Sequence, residues 1–224
     1  MTVLALDTAT EVLSLAAQRD EAWAALSVRR GLQHSPALLG LAERVLADVG
    51  AGPADLTLIV CSLGPGSFTG IRIGLATALG IGHAREIPVV GVSTLDALAL
   101  PWEAWDGEVF PVLDARKGRY YTAPFVRGAR QGDYRDSTAA ELGELLRAAR
   151  HALLVGPDAH RIAGQLGEAA AGVEAADTVD PRSLLRLGLQ QYTKEGVRAG
   201  EPLQPLYLRK SEAETKAEEN HHEP

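Results

Sequence analysis

Two patterns of hydrophobic positions follow each other along the chain. Three short apolar runs, separated by polar residues, open it and predict a three-stranded antiparallel meander. A stretch with apolar residues three and four positions apart then begins at Ser35-Pro36, a pair typical of a helix start. The predicted elements are strands at 2–9, 11–18 and 22–29 and a helix at 36–49.

The next apolar segments alternate between strand and helix. Their strands are too apolar to have a solvent-facing side, which predicts parallel inner strands covered by helices. A mixed α/β sheet is therefore expected in this half of the chain. The predicted elements are a strand at 56–61, a helix at 68–84, a strand at 87–92 and a short helix at 93–100.

A second, more polar segment begins near Trp102 and Trp105. Residues 114–118 predict a hairpin turn in which Gly118 takes a positive φ. Further elements are predicted as strands at 108–113, 119–126 and 152–155 and helices at 138–150, 160–169 and 182–195. These patterns divide the chain into a first lobe (1–101 with about 196–210), a smaller second lobe (102–195) and a charged tail (211–224) expected to be disordered.

The helix at 71–84 has almost no polar side. A helix that is apolar all round is buried on every side, within its own domain or against a partner. Its small residues Gly74, Ala78 and Gly82 suit the close approach of a second helix. The pattern alone leaves an ordinary core helix and a protein interface both open.

Glycines and hydroxyl residues lie between the strand at 56–61 and this helix. Such a turn before a helix start is typical of an anion site, and Asp7 and Thr8 end another strand. The segment lacks the lysine of a phosphate-binding G-x-x-x-x-G-K-[ST] loop and the spacing of G-x-G-x-x-G. A vestigial phosphate cradle and a plain strand-to-helix turn both remain open. The candidate cradle residues are Asp7, Thr8, Gly64, Gly66, Ser67, Thr69 and Gly70.

Charge and cysteine content narrow the function classes. A net charge of −7 argues against a chain that binds nucleic acid by itself, because such chains show a basic footprint. The single Cys61 excludes an intrachain disulfide and suits a reducing compartment. Without a signal-like start or a long apolar span, we expect a cytoplasmic protein with no membrane contact.

Five ordered segments resemble the TsaB (YeaZ) family. The resemblance covers nearly the whole chain except the tail. It implies an actin-like, Hsp70-like (ASKHA) fold, with two βββαβα-type lobes of which the second is reduced. The segments are residues 4–10, 62–74, 91–98, 113–118 and 205–209.

The resemblance implies a scaffold in the biosynthesis of N6-threonylcarbamoyladenosine in tRNA. Such a chain pairs with a TsaD-type transferase, is joined by a TsaE-type ATPase, forms a homodimer when alone and meets tRNA only indirectly. It holds no cofactor firmly, and ATP or ADP with Mg²⁺ belongs to the level of the complex. The implied interface residues are Leu38, Leu39, Ala42, Arg72, Leu75, Ala76 and Leu79.

No catalytic or metal-binding residue is implied for this chain. TsaD-type chains carry an H-x-x-x-H metal pair whose positions fall here on Thr94 and Leu98, and leucine cannot bind a metal. A metallopeptidase therefore lacks its ligands. The alternative is a small ATP-binding phosphotransferase or ATPase that uses Asp7, Thr8 and Asp114 around Mg·ATP. Gly156-Pro157 is its weak candidate for an adenosine site.

Overall fold

Two mixed β-sheets with the same strand order organise the chain. The computed structural model describes residues 1–29, 35–167, 172–174 and 178–209. In the first sheet the order is β3-β2-β1-β4-β5, with β1, β2 and β3 antiparallel and β4 and β5 parallel to β1. Its strands are β1 (Thr2–Asp7), β2 (Val12–Arg19), β3 (Ala22–Arg29), β4 (Leu58–Gly64) and β5 (Val89–Ser93).

Three helices follow strands of this sheet: α1 (Ser35–Asp48) and α2 (Phe68–Arg85) connect them, and α3 (Thr94–Ala99) comes after β5. Leucines of β1 and β2 form one core with α1 and α2, so both helices cover the same side of the sheet. Ser93 caps α3 by accepting a hydrogen bond from the Leu95 backbone N–H at 3.2 Å. The predicted meander and the following strand–helix order are confirmed.

The second sheet repeats this arrangement in the order β10-β7-β6-β11-β12. The turn between β6 and β7 has φ 56° at Lys117 and 71° at Gly118, so the predicted positive φ of Gly118 is confirmed. The strands are β6 (Val109–Arg116), β7 (Arg119–Thr122), β10 (Arg135–Thr138), β11 (Leu153–Val155) and β12 (Gly172–Glu174), with an added hairpin of β8 (Phe125–Val126) and β9 (Ala129–Arg130); the helices are α4 (Ala139–Ala148) and α5 (Ala159–Leu166).

The last helix, α6 (Pro181–Glu195), packs on the first sheet, against β1, β2, β4 and β5. A Cβ at Gly188 would collide with the side chain of Val60 on β4, so glycine lets the helix backbone lie close to the sheet. Leu184 is fully buried there. The predicted lobe boundary is therefore corrected, because 181–195 pack with the first lobe although they follow the second in sequence.

One hydrophobic core joins the two lobes. It contains Val60 of the first sheet, Leu95 of α3, Val109 of the second sheet and Leu184 of α6. The helix α3, which follows the first sheet, also packs on β6. The helices α3 and α6, which follow β5 and β12 in the chain, thus both contribute to the core between the lobes.

The tail at 211–224 and residues 168–169 of one predicted helix lie outside the described residues. Within the described residues, no helix has the length and apolar character needed to cross a membrane.

Candidate functional site: the outer surface of α1 and α2 and the glycine turn

The helix α2 is buried along one side only within the single subunit. Of the two possibilities that its apolar pattern left open, the helix enclosed by its own domain therefore does not hold, and a protein interface remains. Its inner side includes Ile71, Gly74 and Ala78, which are buried. On the opposite side, Arg72, Ala76 and Gly80 are exposed. The exposed side is largely composed of small side chains.

The small residues of α2 serve two different surfaces. A Cβ at Gly74 would collide with Thr8 Oγ1, and a Cβ at Gly82 would collide with Val89. These glycines, and the fully buried Ala78, therefore allow α2 to approach its own sheet. By contrast, among the described residues nothing lies within 4 Å of a Cβ built on Gly80. The close approach predicted for Gly74, Ala78 and Gly82 is thus made within the subunit.

The seven predicted interface residues fall into two groups. Leu38, Ala42 and Leu75 are buried in the core under α1 and α2. Leu79 is partly buried against the same core. We define the outer surface as the exposed or half-exposed residues Leu39, Gly40, Arg72, Ala76, Leu79 and Gly80.

The C-terminal segment around Leu206 and Tyr207 contacts the start of α2 and stabilises it. The backbone N–H of Leu206 donates to the Leu63 carbonyl at 2.7 Å. The rings of Phe68 and Tyr207 lie 5.0 Å apart. The Arg72 guanidinium lies 3.8 Å from the centre of the Phe68 ring, and its Nε donates to the Tyr207 hydroxyl at 3.0 Å. These contacts hold Arg72 at the edge of the outer surface.

The glycine turn, residues 64–70 between β4 and the start of α2, packs against the turn that connects β1 and β2. The Ser67 N–H donates to the Ala9 carbonyl at 2.7 Å, and Thr8 Oγ1 donates to the Gly70 carbonyl at 2.7 Å. A Cβ at Gly66 or at Gly70 would collide with the carbonyl oxygen of Ala9 or Thr8, respectively. Gly66 and Gly70 therefore allow the backbone of the two turns to pack directly against each other.

The polar groups of the predicted cradle have local partners. Asp7 is fully buried, and its Oδ1 accepts from the Ala9 N–H at 3.2 Å, which is an Asx-type turn. Ser67 Oγ accepts from the Gly70 N–H at 3.2 Å and so caps α2. Thr69 is exposed. These contacts favour the reading of a strand-to-helix turn.

In the second lobe, the carboxylate of Asp114 is held by its neighbours. It accepts from the Arg116 N–H at 2.7 Å and lies 3.3 Å from the guanidinium of Arg161. The hydrogen bond with Asp158 raises the pKa of Arg161 above its usual value. A Cβ at Gly156 would lie 2.6 Å from the Val112 carbonyl oxygen, so this glycine packs a turn against β6.

The positions that match the metal pair of TsaD-type chains lie inside the protein. Thr94 and Leu98 are buried at the junction of the lobes. Across the described ranges, no three His, Cys, Asp or Glu side chains are placed to hold a metal ion. Burial also raises the pKa of the Cys61 thiol to about 12, so this cysteine stays protonated at neutral pH.

Sequence reasoning missed a polar contact between the lobes. The Tyr134 hydroxyl donates to Asp96 Oδ1 at 2.8 Å, and the Arg130 guanidinium lies 4.1 Å from the centre of the Tyr134 ring. Burial raises the pKa of Asp96 above its usual value and that of Tyr134 to about 12. No periodicity could reveal this pair, because Asp96 lies in α3 of the first lobe and Tyr134 lies between β9 and β10 of the second. By contrast, the exposed side of α2 was recognisable from the sequence, because Gly80 lies in the middle of a helix, where glycine lowers helix stability relative to alanine.

Comparisons with known proteins agree with this architecture. A family model described as "TsaD: tRNA N6-adenosine threonylcarbamoyltransferase" matches residues 30–147. The tRNA threonylcarbamoyladenosine biosynthesis protein TsaB of Bacillus subtilis is 37% identical over 123 residues, which are 54% of each chain. The match thus spans about half the length of that relative. An uncharacterized protein of Mycobacterium tuberculosis is 34% identical over 215 residues, 95% of this chain and 93% of its own.

A solved structure extends the comparison to the fold. It is a Pseudomonas aeruginosa protein described as uncharacterized, with similarity to peptidase YEAZ. It superimposes with a TM-score of 0.80 at 24% sequence identity, covering 93% of this chain and 99% of that one.

The paired sheets and their shared core define a two-lobed α/β protein of the actin-like (ASKHA) class. Within that class, the chain belongs to the TsaB (YeaZ) family.

Proposed function

We propose that this chain is a non-catalytic subunit required for the biosynthesis of N6-threonylcarbamoyladenosine in tRNA. It pairs with a TsaD-type transferase through the outer surface of α1 and α2. The TsaB relative of Bacillus subtilis is named for this pathway. The observation that carries the proposal is the exposed small-residue side of α2, at Ala76 and Gly80.

Exposed glycine in the middle of a helix needs an explanation. It costs about 1 kcal/mol relative to alanine, and no described contact of Gly80 within the subunit requires it. Small side chains let two helices pack with their axes about 8–10 Å apart. The half-exposed Leu79 beside Gly80 and the 58% exposed Leu39 on α1 supply apolar area for such a contact.

The contacts around the glycine turn support a non-catalytic role. The backbone carbonyls of Thr8 and Ala9 lie directly against Gly70 and Gly66, so these glycines serve the packing of two turns within the chain. The Asp114 carboxylate is engaged by Arg161. These arrangements oppose the alternative of a phosphotransferase. Any ATP or ADP with Mg²⁺ then belongs to the assembled complex.

The remaining parts of the proposal follow from the family. The chain works in the cytoplasm, a TsaE-type ATPase joins the pair, and tRNA is met through the other subunits. When the transferase is absent, the outer surface of α1 and α2 pairs with a second copy, because the same small residues serve both contacts.

A charge at the centre of the outer surface tests the docking. Ala76→Glu places a carboxylate where two helices would meet, and Gln190→Glu on α6 is the matched control on the other side of the sheet. We expect Ala76→Glu to weaken the pull-down of a TsaD-type paralogue at least tenfold, about 1.4 kcal/mol. The control should bind as the unchanged chain does, and circular dichroism should show both variants folded. Equal binding by the two variants would contradict the docking surface.

Calorimetry tests the non-catalytic role separately. The isolated chain titrated with ATP and Mg²⁺ should show no micromolar binding. A micromolar dissociation constant that Asp114→Asn raises would instead favour the phosphotransferase, because that reading uses the Asp114 carboxylate to bind Mg·ATP.

A further inference from the structure

The outer edge of the first sheet is a long, unprotected strand. β3 has eight residues, Ala22–Arg29, without proline, lysine or glycine, and it pairs with β2 in an unbroken register. Among the described strands, none pairs with its other side. Natural sheet edges are normally shortened, bulged, or marked by lysine or proline, because a free edge is a template for another strand.

The second sheet offers an internal comparison. Its strand at the same place in the order is β10, which has four residues and carries both Arg135 and Asp136. The opposite edges are β5, with five residues, and β12, with three. The length and the exposure of β3 therefore distinguish it from the other three edge strands.

The side chains of β3 are complementary to a second copy of the same strand. Ala24, Leu26 and Val28 are half-buried, and the residues between them are exposed. An antiparallel pair centred on Leu26 sets Leu26 opposite its own copy and Ala24 opposite Val28 of the partner subunit. Both copies would then extend the core under α1, to which Ala24 and Leu26 already belong. A shift by one residue would set the half-buried side chains opposite the exposed ones. A shift by two residues would keep the alternation, but only the register centred on Leu26 also sets Trp23 opposite Arg29.

An aromatic side chain marks the same edge. Trp23 is 54% exposed, and the Arg182 guanidinium lies 5.3 Å from the centre of its ring. Arg182 is itself held by Asp180 at 3.1 Å. In the register centred on Leu26, Trp23 lies opposite Arg29 of the partner subunit. Tryptophan and arginine are enriched among residues that dominate interface energies.

We propose that β3 pairs with the β3 strand of a second copy of this chain. The two β3 strands are antiparallel, and they join the two five-stranded sheets into one continuous sheet. The partner is a second copy, because the register centred on Leu26 pairs the half-buried side chains with one another on one face and Trp23 with Arg29 on the other. This contact does not rest on the proposed function and uses a different surface from the outer surface of α1 and α2.

Disulfide trapping tests the pairing directly. Cys61 is the chain's single cysteine and is fully buried, so an added cysteine is the reactive one. Leu26→Cys, oxidised with diamide, should give a covalent dimer because the two copies of residue 26 face each other. Ala22→Cys is the control: its two copies lie eight positions apart along the pair, about 26 Å, and should not cross-link. Equal cross-linking by both variants, or none by Leu26→Cys, would overturn the proposal.

A second measurement covers the case in which Leu26→Cys fails to fold. A mixture of Ala24→Cys and Val28→Cys chains should form a mixed cross-link in preference to either self-cross-link. In sedimentation, Ala25→Lys on the exposed face of β3, added to a chain that already carries Ala76→Glu, should weaken the remaining self-association at least tenfold. Ala76→Glu by itself should leave the β3 cross-links unchanged. Loss of those cross-links in Ala76→Glu would show that copies meet through α2 instead.

Discussion

At the scale of single residues, identical glycines in α2 have opposite roles. Gly74 faces Thr8, where a Cβ has no room, whereas Gly80 faces outward with no described atom within 4 Å of a Cβ. Both lie well inside the same helix, so their helix propensity is the same. Only the surroundings distinguish them.

A pair of alanine substitutions measures this difference. Gly80→Ala should raise the free energy of unfolding by about 0.5–1 kcal/mol, because alanine is the better helix former. Gly74→Ala should lower it by about 1–3 kcal/mol, because the added methyl group overpacks the contact with Thr8. Urea unfolding followed by circular dichroism gives both values. A stabilising Gly74→Ala would contradict the close approach of α2 to β1.

The hydrogen bond between Tyr134 and Asp96 predicts a pH dependence. Burial raises the pKa of Asp96, and the hydrogen bond from Tyr134 opposes that rise. The folded state therefore holds the Asp96 proton more tightly than the unfolded chain does. Its carboxylate costs stability as the pH rises through the raised pKa, and Tyr134 offsets part of this cost.

Tyr134→Phe should accordingly be more destabilising at neutral pH than in acid. We expect a loss of about 1.5–3 kcal/mol at pH 7, the range for a hydrogen bond to a charged group, and a smaller loss near pH 4, where Asp96 takes up its proton. Tyr120→Phe is the matched control, since its hydroxyl donates to the neutral Gln165 at 2.6 Å. Urea unfolding at the two pH values should show a pH-dependent loss for Tyr134→Phe alone.

At the scale of elements, the C-terminal segment and α2 depend on each other. Leu206 is hydrogen-bonded to the end of β4, and Tyr207 contacts both Phe68 and Arg72 in the first turns of α2. The start of the helix is thus held by residues more than a hundred positions away in sequence. Arg72 of the outer surface is oriented by the same contacts.

Removing the tyrosine ring should loosen this end of the helix. For Tyr207→Ala we expect faster amide hydrogen exchange in residues 70–74 and a loss of about 1 kcal/mol, because a ring-to-ring contact is worth roughly that much. Tyr207→Phe keeps the ring and should change exchange far less. Unchanged exchange in Tyr207→Ala would mean that the cap at Ser67 alone holds the helix start.

The sequence predicted the elements whose pattern is local. The long apolar runs of β1, β4 and β5 and the helix starts at Ser35 and Ser67 carry their own signals. β12 has three residues and β9 has two, which is too short for any periodicity to be recognised. β10 was missed because Arg135 and Asp136 give it a polar start.

The sequence was sufficient to predict which segments form the candidate site, but not which side of α2 faces solvent. Sequence singled out α2 and the glycine turn, but a helix that is apolar all round gives no indication of which side meets its own sheet. That choice is made by Thr8 and Val89, whose contacts with Gly74 and Gly82 are tertiary. The placement of α6 on the first sheet is likewise a tertiary fact, since Gly188 meets Val60 across the boundary predicted between lobes.

At the scale of the whole molecule, the shared core predicts a single unfolding unit. Val60, Val109 and Leu184 pack in one cluster although they come from the first sheet, the second sheet and α6. Tryptophan fluorescence and circular dichroism should therefore give coincident thermal transitions. Two separated transitions would show that the lobes unfold independently.

The crossing of α6 also determines how the chain can be divided. A fragment of residues 1–101 would leave the apolar surface around Val60 uncovered, and a fragment that starts at residue 102 would carry a helix with no sheet to cover. Chimeras that exchange second lobes between relatives should therefore be joined near residues 101 and 180, so that α6 stays with the recipient's own first sheet. In this protein α6 follows the second lobe in sequence but packs on the first sheet, so the joints of a chimera have to follow the packing and not the sequence order.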